Sequence, residues 1–414
     1  MKYGLIGEKL SHSFSKEIHE MLADYTYELC ELTREELYPF FTKRDFCAIN
    51  VTIPYKKEVI PFLDEISEEA MALEAVNVII NKNGRLCGYN TDYLGLKEQI
   101  LHASYDMRGK KVLVLGTGGA SRTAALVARD LGAKAVLLVS REKKSNTLTY
   151  REARQYHSDA DVIINGTPVG MYPDIYSSPI DIDDFSNLSA VFDVVYNPLR
   201  TTLTLEAQKR GVLSECGLYM LVSQAVHAVE LFTGSKLDTK KAEEIYDHVY
   251  NSKQNVVLIG MPSCGKTTVG SILAQELKRE MVDIDDEIVK ELDCSIADYF
   301  RDHPEKEFRD VETKITKEIS KRNGIIISTG GGCILRQENV DALRANGRLY
   351  FIDRSLKNLV PTDSRPLASS RSNIEALYQA RYEVYKKTSD IRVDGDLSPK
   401  EEANLIIEEF YKLK

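Results

Sequence analysis

The sequence predicts an α/β protein of more than one domain, built on parallel sheets. Three observations carry this. Two segments, one near residue 115 and one near residue 260, each read as strand, glycine-rich turn and helix. The length of 414 residues suits two or three domains. The composition, 43% hydrophobic and 28% charged, is that of a soluble globular chain.

Taken in order, Met1 to Gly7 reads as a strand running into a turn and lacks the apolar core of a signal peptide. Lys16 to Ala23 reads as a helix. Asn50-Val51-Thr52-Ile53-Pro54-Tyr55-Lys56 is a strand ending in a proline turn that presents a lysine. Ala75-Val76-Asn77 and Asn90-Thr91-Asp92 follow as polar clusters. Lys110 to Leu115 is a strand that feeds Gly116-Thr117-Gly118-Gly119-Ala120-Ser121-Arg122 and a helix through Leu131. That is a dinucleotide-binding unit with the pyrophosphate at the helix N-terminus, so Gly116, Gly118, Gly119, Ala120 and Ser121 are candidate cofactor contacts. The next strand, Ala135 to Val139, ends at Ser140-Arg141. A basic residue there accommodates a 2′-phosphate, so Arg141, followed by Lys143 and Lys144, favours NADP(H) over NAD.

Asp238 to Ser252 reads as a helix, and Asn255 to Ile259 is the buried strand of the second strand–turn–helix. Gly260-Met261-Pro262-Ser263-Cys264-Gly265-Lys266-Thr267 matches G-x-x-x-x-G-K-[ST], the P-loop. Thr267 to Leu277 continues as a helix, with Val269, Ile272, Leu273 and Leu277 at helical spacing. Backbone N–H groups over Gly260, Ser263, Cys264, Gly265 and Thr268 face the phosphates of ATP. Lys266 reaches the β- and γ-phosphates, and the Thr267 hydroxyl ligates Mg²⁺. Ile325 to Ser328 is a strand before Gly330-Gly331-Gly332, and Ser398-Pro399-Lys400-Glu401 is a capping box that opens a final helix.

A net charge of −9 argues against a nucleic-acid partner, so anionic substrates are held by local cations. No stretch approaches the ~18 apolar residues of a membrane span. Seven cysteines without a C-x-x-C pair read as the reduced, scattered thiols of a cytoplasmic protein.

The first part of the chain, to about residue 250, resembles the shikimate dehydrogenase family. The motifs are Ser11-His12-Ser13-Phe14-Ser15, Asn50 to Lys56, Ala75 to Asn77, Asn90 to Asp92, the G-x-G-G-x-x-R turn, Ile164 to Met171, and Gly217 to Gln224. The resemblance implies hydride exchange between NADPH and 3-dehydroshikimate. It implies Lys56 and Asp92 as the catalytic pair, an amine beside a carboxylate that can give and recover a proton. Ser13 and Ser15 would meet the substrate carboxylate, and Asn50, Thr52, Asn77, Tyr196 and Gln224 the ring hydroxyls. The sequence departs from the family at Lys16, where proline is usual, and at Tyr219, which replaces a glycine at the expected nicotinamide end. The stretch from Arg141 to Asp161 is only about 20 residues, so a family helix and strand are expected to be shortened.

From about residue 254 the chain resembles the shikimate kinase family through the P-loop, Asp283-Ile284-Asp285, Glu307-Phe308-Arg309, Gly330 to Gly332, Ser364-Arg365-Pro366-Leu367 and Arg381. Phosphoryl transfer needs positioning, neutralised phosphate charge and a receiver for the hydroxyl proton. In that role set Lys266, Arg365 and Mg²⁺ are the positive charge, and Thr267 and Asp283 hold the metal. Asp285 takes the hydroxyl proton. Arg309 and Arg381 bind a carboxylate, and Gly331 and Gly332 permit close approach. No arginine stands where the family often stacks one on adenine; Arg354 falls too early.

The expected organisation is therefore a substrate lobe over 1–100, completed by helices near 218–252, a Rossmann-like NADP lobe over 101–217, and a P-loop kinase domain over 254–414. The expected function is that of a fused enzyme for consecutive steps of the shikimate pathway, acting on 3-dehydroshikimate and then shikimate. One rival is a quinate or shikimate dehydrogenase using NAD, which Arg141 opposes. The other is a ligand-sensing protein built from inactive enzyme modules. The presence of Lys56, Asp92, Lys266 and Asp285 together opposes it.

Overall fold

In the computed structural model, which describes residues 1–10, 13–238, 240–361 and 369–412, three sheets follow one another along the chain. The first is mixed. β1 (Tyr3–Gly7), β2 (Tyr27–Glu31) and β3 (Ala48–Val51) are parallel, while β5 (Val78–Lys82) runs antiparallel to β3 and to β6 (Arg85–Tyr89). The short β4 (Glu65–Ile66) closes the edge, giving the order β2-β1-β3-β5-β6-β4. The helices are α1 (Ser15–Leu22), α2 (Arg34–Lys43), α3 (Glu68–Leu73) and α4 (Asp92–His102). α2 begins where Thr33 and Glu36 form a capping box, satisfying N–H groups that the first turn leaves unpaired.

The second sheet is wholly parallel. It holds β7 (Lys111–Leu115), β8 (Ala135–Ser140), β9 (Thr147–Thr149), β10 (Val162–Asn165), β11 (Ala190–Asp193) and β12 (Leu213–Glu215) in the order β12-β11-β10-β7-β8-β9. This is the doubly wound dinucleotide order, with its switch point between β7 and β10. The strands are apolar on both faces because both are covered. Val112, Val114, Val162, Ile164 and Phe192 pack into one core, and Leu113, Leu115, Ile163 and Val191 into another. The helices are α5 (Gly119–Asp130), α6 (Tyr150–Tyr156), α7 (Thr202–Lys209), α8 (Leu218–Thr233) and α9 (Lys241–Lys253). β9 and α6, an edge strand of three residues and a helix of seven, occupy the short stretch after Arg141.

The third sheet is also parallel. β13 (Asn255–Ile259) is central in the order β14-β15-β13-β16-β17, with β14 (Met281–Asp283), β15 (Ile326–Ser328), β16 (Gly347–Asp353) and β17 (Ile391–Asp394). Around it lie α10 (Lys266–Leu277), α11 (Ile284–Leu292), α12 (Ile296–Asp302), α13 (Glu305–Ser320), α14 (Gln337–Asn346), α15 (Arg371–Thr388) and α16 (Pro399–Tyr411). α16 carries the expected Ser398–Glu401 capping box with Pro399 at its start.

The chain divides into two compact units, Met1–Asn197 with Leu203–Val249, and Pro198–Thr202 with Tyr250–Lys414. Among the described residues no helix is long and apolar enough to cross a membrane.

Candidate active sites

In the first unit, the turn after β3 and the start of α4 bring two charges together. Lys56 Nζ donates to Asp92 Oδ2 at 2.6 Å, with both side chains largely shielded from solvent. Asp92 is the first residue of α4, where free N–H groups and the helix dipole favour a carboxylate. Its other oxygen accepts from Asn77 Nδ2 at 2.8 Å, and its N–H donates to Asn90 Oδ1 at 3.0 Å. The Asn77 amide also reaches Thr91 Oγ1 (3.0 Å) and Gln224 Oε1 (3.4 Å), and Thr91 Oγ1 donates to the same Gln224 oxygen. Gln224 comes from the middle of α8, 147 residues away. Asn50 joins through Nδ2 to the Asn77 carbonyl at 3.3 Å. Thus Lys56, Asp92, Asn77, Gln224 and Asn50 form one network. Thr52 lies half-buried in the same turn, its carbonyl accepting from Tyr55 N at 2.9 Å.

Ser13, Ser15 and Tyr196 form a second group. Ser15 opens α1, and its N–H donates to Ser13 Oγ at 3.2 Å. Tyr196 hydrogen-bonds Ser13; burial pushes its phenol pKa up, and the Ser13 contact pulls it partly back. Lys16 is exposed. Tyr219 belongs to an aromatic cluster. Its ring stacks on His102 at 4.0 Å and meets Tyr246 edge-on, so it turns toward α4 and α9 while Gln224 takes the network face of α8.

The glycine turn after β7 fits a dinucleotide. Gly116 has φ +100, and α5 starts at Gly119 with open space at Gly118 for a close ligand. Ala120 follows in the first turn of α5. The Ser121 hydroxyl turns inward. It is buried and spent on the Leu115 and Gly166 carbonyls at 3.1 and 3.2 Å, so it locks the turn and does not face outward. Arg141 is exposed at the end of β8. Lys143 is paired with Glu152, and Lys144 Nζ leans to Thr117 Oγ1 in the glycine turn at 3.4 Å.

In the second unit, β13 delivers the P-loop. Gly260 and Gly265 adopt φ +152 and +100, a conformation that glycine tolerates. Lys266 is buried, its Nζ donating to the Gly260 and Met261 carbonyls at 2.9 and 3.0 Å. Ser263 Oγ is buried without a partner among the described residues, and Cys264 is wholly buried. An orphaned hydroxyl, a lysine and the N-terminus of α10 in one loop fit an anionic phosphate chain. Thr268 is exposed in the first turn of α10. Thr267 Oγ1 donates to Asp283 Oδ2 at 3.0 Å. A hydroxyl beside a carboxylate suits Mg²⁺, which takes few protein oxygens and shares the rest with phosphates and water. Among the described residues no group of three or more His, Cys, Asp or Glu forms a metal cage.

Asp283 caps α11 by accepting from Asp285 N at 3.0 Å, which sets Asp285 in the first helical turn. The glycine run comes close. A Cβ on Gly330 would stand 2.5 Å from Asp285 Oδ1, and one on Gly332 would strike the Arg309 guanidinium. Arg381 donates to the Gly331 carbonyl at 2.9 Å. Asp285, Arg309, Gly331, Gly332 and Arg381 therefore converge. Arg365 lies outside the described residues.

Three contributors were missed by sequence reasoning. Thr91 sits inside a recognised motif, but its hydroxyl role depends on α8. Tyr27 OH donates to Asn50 Oδ1 at 2.7 Å, which fixes the Asn50 amide. Glu312, one turn beyond Arg309, holds it at 2.8 Å. Burial pushes the Glu312 carboxyl up, against the pull of Arg309. Its i+3 spacing from Arg309 was the available signal.

A lysine–carboxylate pair beside a dinucleotide fold, followed by a P-loop with a facing aspartate, defines an oxidoreductase joined to a phosphotransferase. Comparison with known proteins gives the families. The model described as shikimate dehydrogenase substrate binding domain matches residues 5–79, and the one described as shikimate kinase matches residues 262–411. The shikimate dehydrogenase (NADP(+)) of Clostridium perfringens is 38% identical over 271 residues, covering 60% of this chain and 97% of that protein. The crystal structure of shikimate dehydrogenase 1 from Peptoclostridium difficile aligns with TM-score 0.57 and 34% identity, over 60% of this chain and 98% of that one. The Thermus thermophilus enzyme in complex with NADP(H) and shikimate gives 0.54 and 29%, over 60% and 99%. The chain belongs to the shikimate dehydrogenase family and carries a shikimate kinase domain after it.

Proposed function

We propose that the chain is a bifunctional shikimate-pathway enzyme that reduces 3-dehydroshikimate to shikimate and then phosphorylates shikimate to shikimate 3-phosphate. The observation that carries this is the Lys56–Asp92 bond, braced by Asn77, in a chain that also closes a P-loop around Lys266.

NADPH, when bound, supplies the hydride for the ring carbonyl. Lys56 gives a proton to the oxygen that becomes a hydroxyl, and Asp92 keeps the amine aimed. Asn50, Thr52, Asn77 and Gln224 orient the ring through its hydroxyls, and Ser13, Ser15 and Tyr196 hold the carboxylate end. Arg141 receives the 2′-phosphate and Gly116, Gly118, Gly119 and Ala120 the pyrophosphate, which supports NADP(H) over NAD.

ATP with Mg²⁺ supplies the phosphoryl group in the second unit. Asp285 binds the shikimate hydroxyl and takes its proton. Arg309 and Arg381 fix the carboxylate, since guanidinium binds it bidentately. Thr267 and Asp283 hold the metal, and Lys266 leaves its carbonyls for the phosphates. The partners are small molecules; net charge −9 speaks against nucleic acid, and seven free cysteines suit the cytoplasm.

The test is one assay with dehydroshikimate, NADPH, ATP and Mg²⁺, following NADPH loss and shikimate 3-phosphate. Both signals are expected, and EDTA should stop only the second. Loss of NADPH oxidation on chelation, or no phosphorylation of supplied shikimate, defeats the reading.

A further inference from the structure

The second unit contains a cation that the roles above leave unassigned. Arg354 directly follows β16, at the carboxyl end of the parallel sheet, where the P-loop also emerges. Its Nη1 lies 3.7 Å from where a Cβ on Gly265 would stand, within van der Waals reach of the residue before Lys266. The backbone fixes this position. Gly395 N donates to the Asp353 carbonyl at 3.1 Å, and a Cβ on Gly395 would lie 2.7 Å from Arg354 N.

The Arg354 Nε is buried and has no hydrogen-bond partner among the described residues. Acids lie nearby, and each is engaged elsewhere or shielded. Asp396 accepts from Ser355 N and Asn358 Nδ2, and Asp394 accepts from Asp396 N. Glu402 interacts with Arg354 through its field, and among the described residues its Oε2 is itself buried and unpartnered. Arg392 is a useful contrast: its guanidinium is tied to Asp353. A planar cation held against a P-loop glycine, with a buried N–H unmet, suits a ligand that brings anionic oxygens.

We propose that Arg354 contacts the phosphate chain of the nucleotide at the P-loop, as a second cation beside Lys266, and sets affinity for polyphosphate nucleotides. The inference rests on the kinase reading above. It concerns a residue one strand-end away from the P-loop and does not depend on Arg365.

The experiment uses the full chain with R354Q and R354K. Binding of MgATP, MgADP, tripolyphosphate and adenosine is measured by displacement of a ribose-labelled fluorescent ADP. R354Q should weaken ATP, ADP and tripolyphosphate by roughly 10-fold or more, the effect of losing a charged hydrogen bond, and leave adenosine unchanged. R354K should regain part of the loss. Wild-type affinity for ATP in R354Q overturns the proposal. So does an equal loss for adenosine and ATP, which would mean contact with the base. A loss that travels with a lowered unfolding midpoint and is not regained in R354K also overturns it. Failure of the wild-type chain to bind MgATP at all would instead defeat the kinase reading.

Discussion

The two candidate sites are wired differently. In the first unit the polar groups hold one another, side chain to side chain: Lys56 to Asp92, Asp92 to Asn77, Asn77 to Thr91 and Gln224. In the second, two of the cations hold the backbone: Lys266 bonds the Gly260 and Met261 carbonyls, and Arg381 bonds the Gly331 carbonyl. A proton-transfer pair works only if it is aligned before substrate arrives, so its orientation is built into the fold. Phosphoryl transfer depends on charge that comes with the ligand, so the P-loop lysine rests on carbonyls it can exchange for phosphate.

The strongest test of that contrast removes one lysine at a time. Lys56→Ala should lower NADPH-dependent reduction by roughly 10³-fold and leave shikimate phosphorylation within a factor of about two; Lys266→Ala should do the reverse. Loss of both activities in either folded variant would show that the sites are not independent.

The next tests ask how far damage spreads within each site. Asn77→Ala unties Asp92, Thr91 and Gln224 together, so kcat of the dehydrogenase should fall by about 100-fold, beyond what one neutral hydrogen bond gives. A change confined to KM would mean that Asn77 only binds substrate. In the kinase, Glu312→Gln removes the buried carboxylate that holds Arg309. KM for shikimate should rise by roughly 10-fold with KM for ATP unchanged. Equal effects on both substrates would locate the damage in the fold and not in the carboxylate grip.

The smallest effect concerns pH and stability. Burial pushes the Glu402 carboxyl from 4.5 up to about 7. A raised folded-state value means the folded form holds the proton longer, so the stability it lends is full below pH 4.5 and is lost as pH rises through about 7. Glu402→Gln should therefore match the wild type near pH 4.5 and exceed it by about 1 kcal/mol at pH 8, less than the full shift implies because solvent screens the carboxylate. Denaturant unfolding of the second unit across that range would measure it, and a gain confined to acid pH would reverse the assignment.

Much of this was readable in the sequence because it is local. The strand–turn–helix at Lys111–Asp130 and the P-loop unit at Asn255–Leu277 are specified by glycine placement and apolar runs within about 25 residues. Thr91 and Tyr27 were not readable as contributors, because their partners Gln224 and Asn50 lie on other elements. Nor was the inward turn of Ser121, which follows from the approach of the Gly166 loop. The direction of the Tyr219 ring was not readable either, because sequence does not give the face of α8 that a residue occupies.

The reach of Gln224 back to Asn77 has a consequence for biosynthesis. A chain emerging at about 5–20 residues per second delivers the intervening 147 residues over roughly seven to thirty seconds. During that time Asn77, Thr91 and Asp92 exist without the glutamine that completes their network. The dehydrogenase site is thus closed by a late-arriving helix, α8, which precedes β13 and the P-loop in the chain. Slowing translation between residues 91 and 224 would lengthen the life of an open first site without touching either finished one.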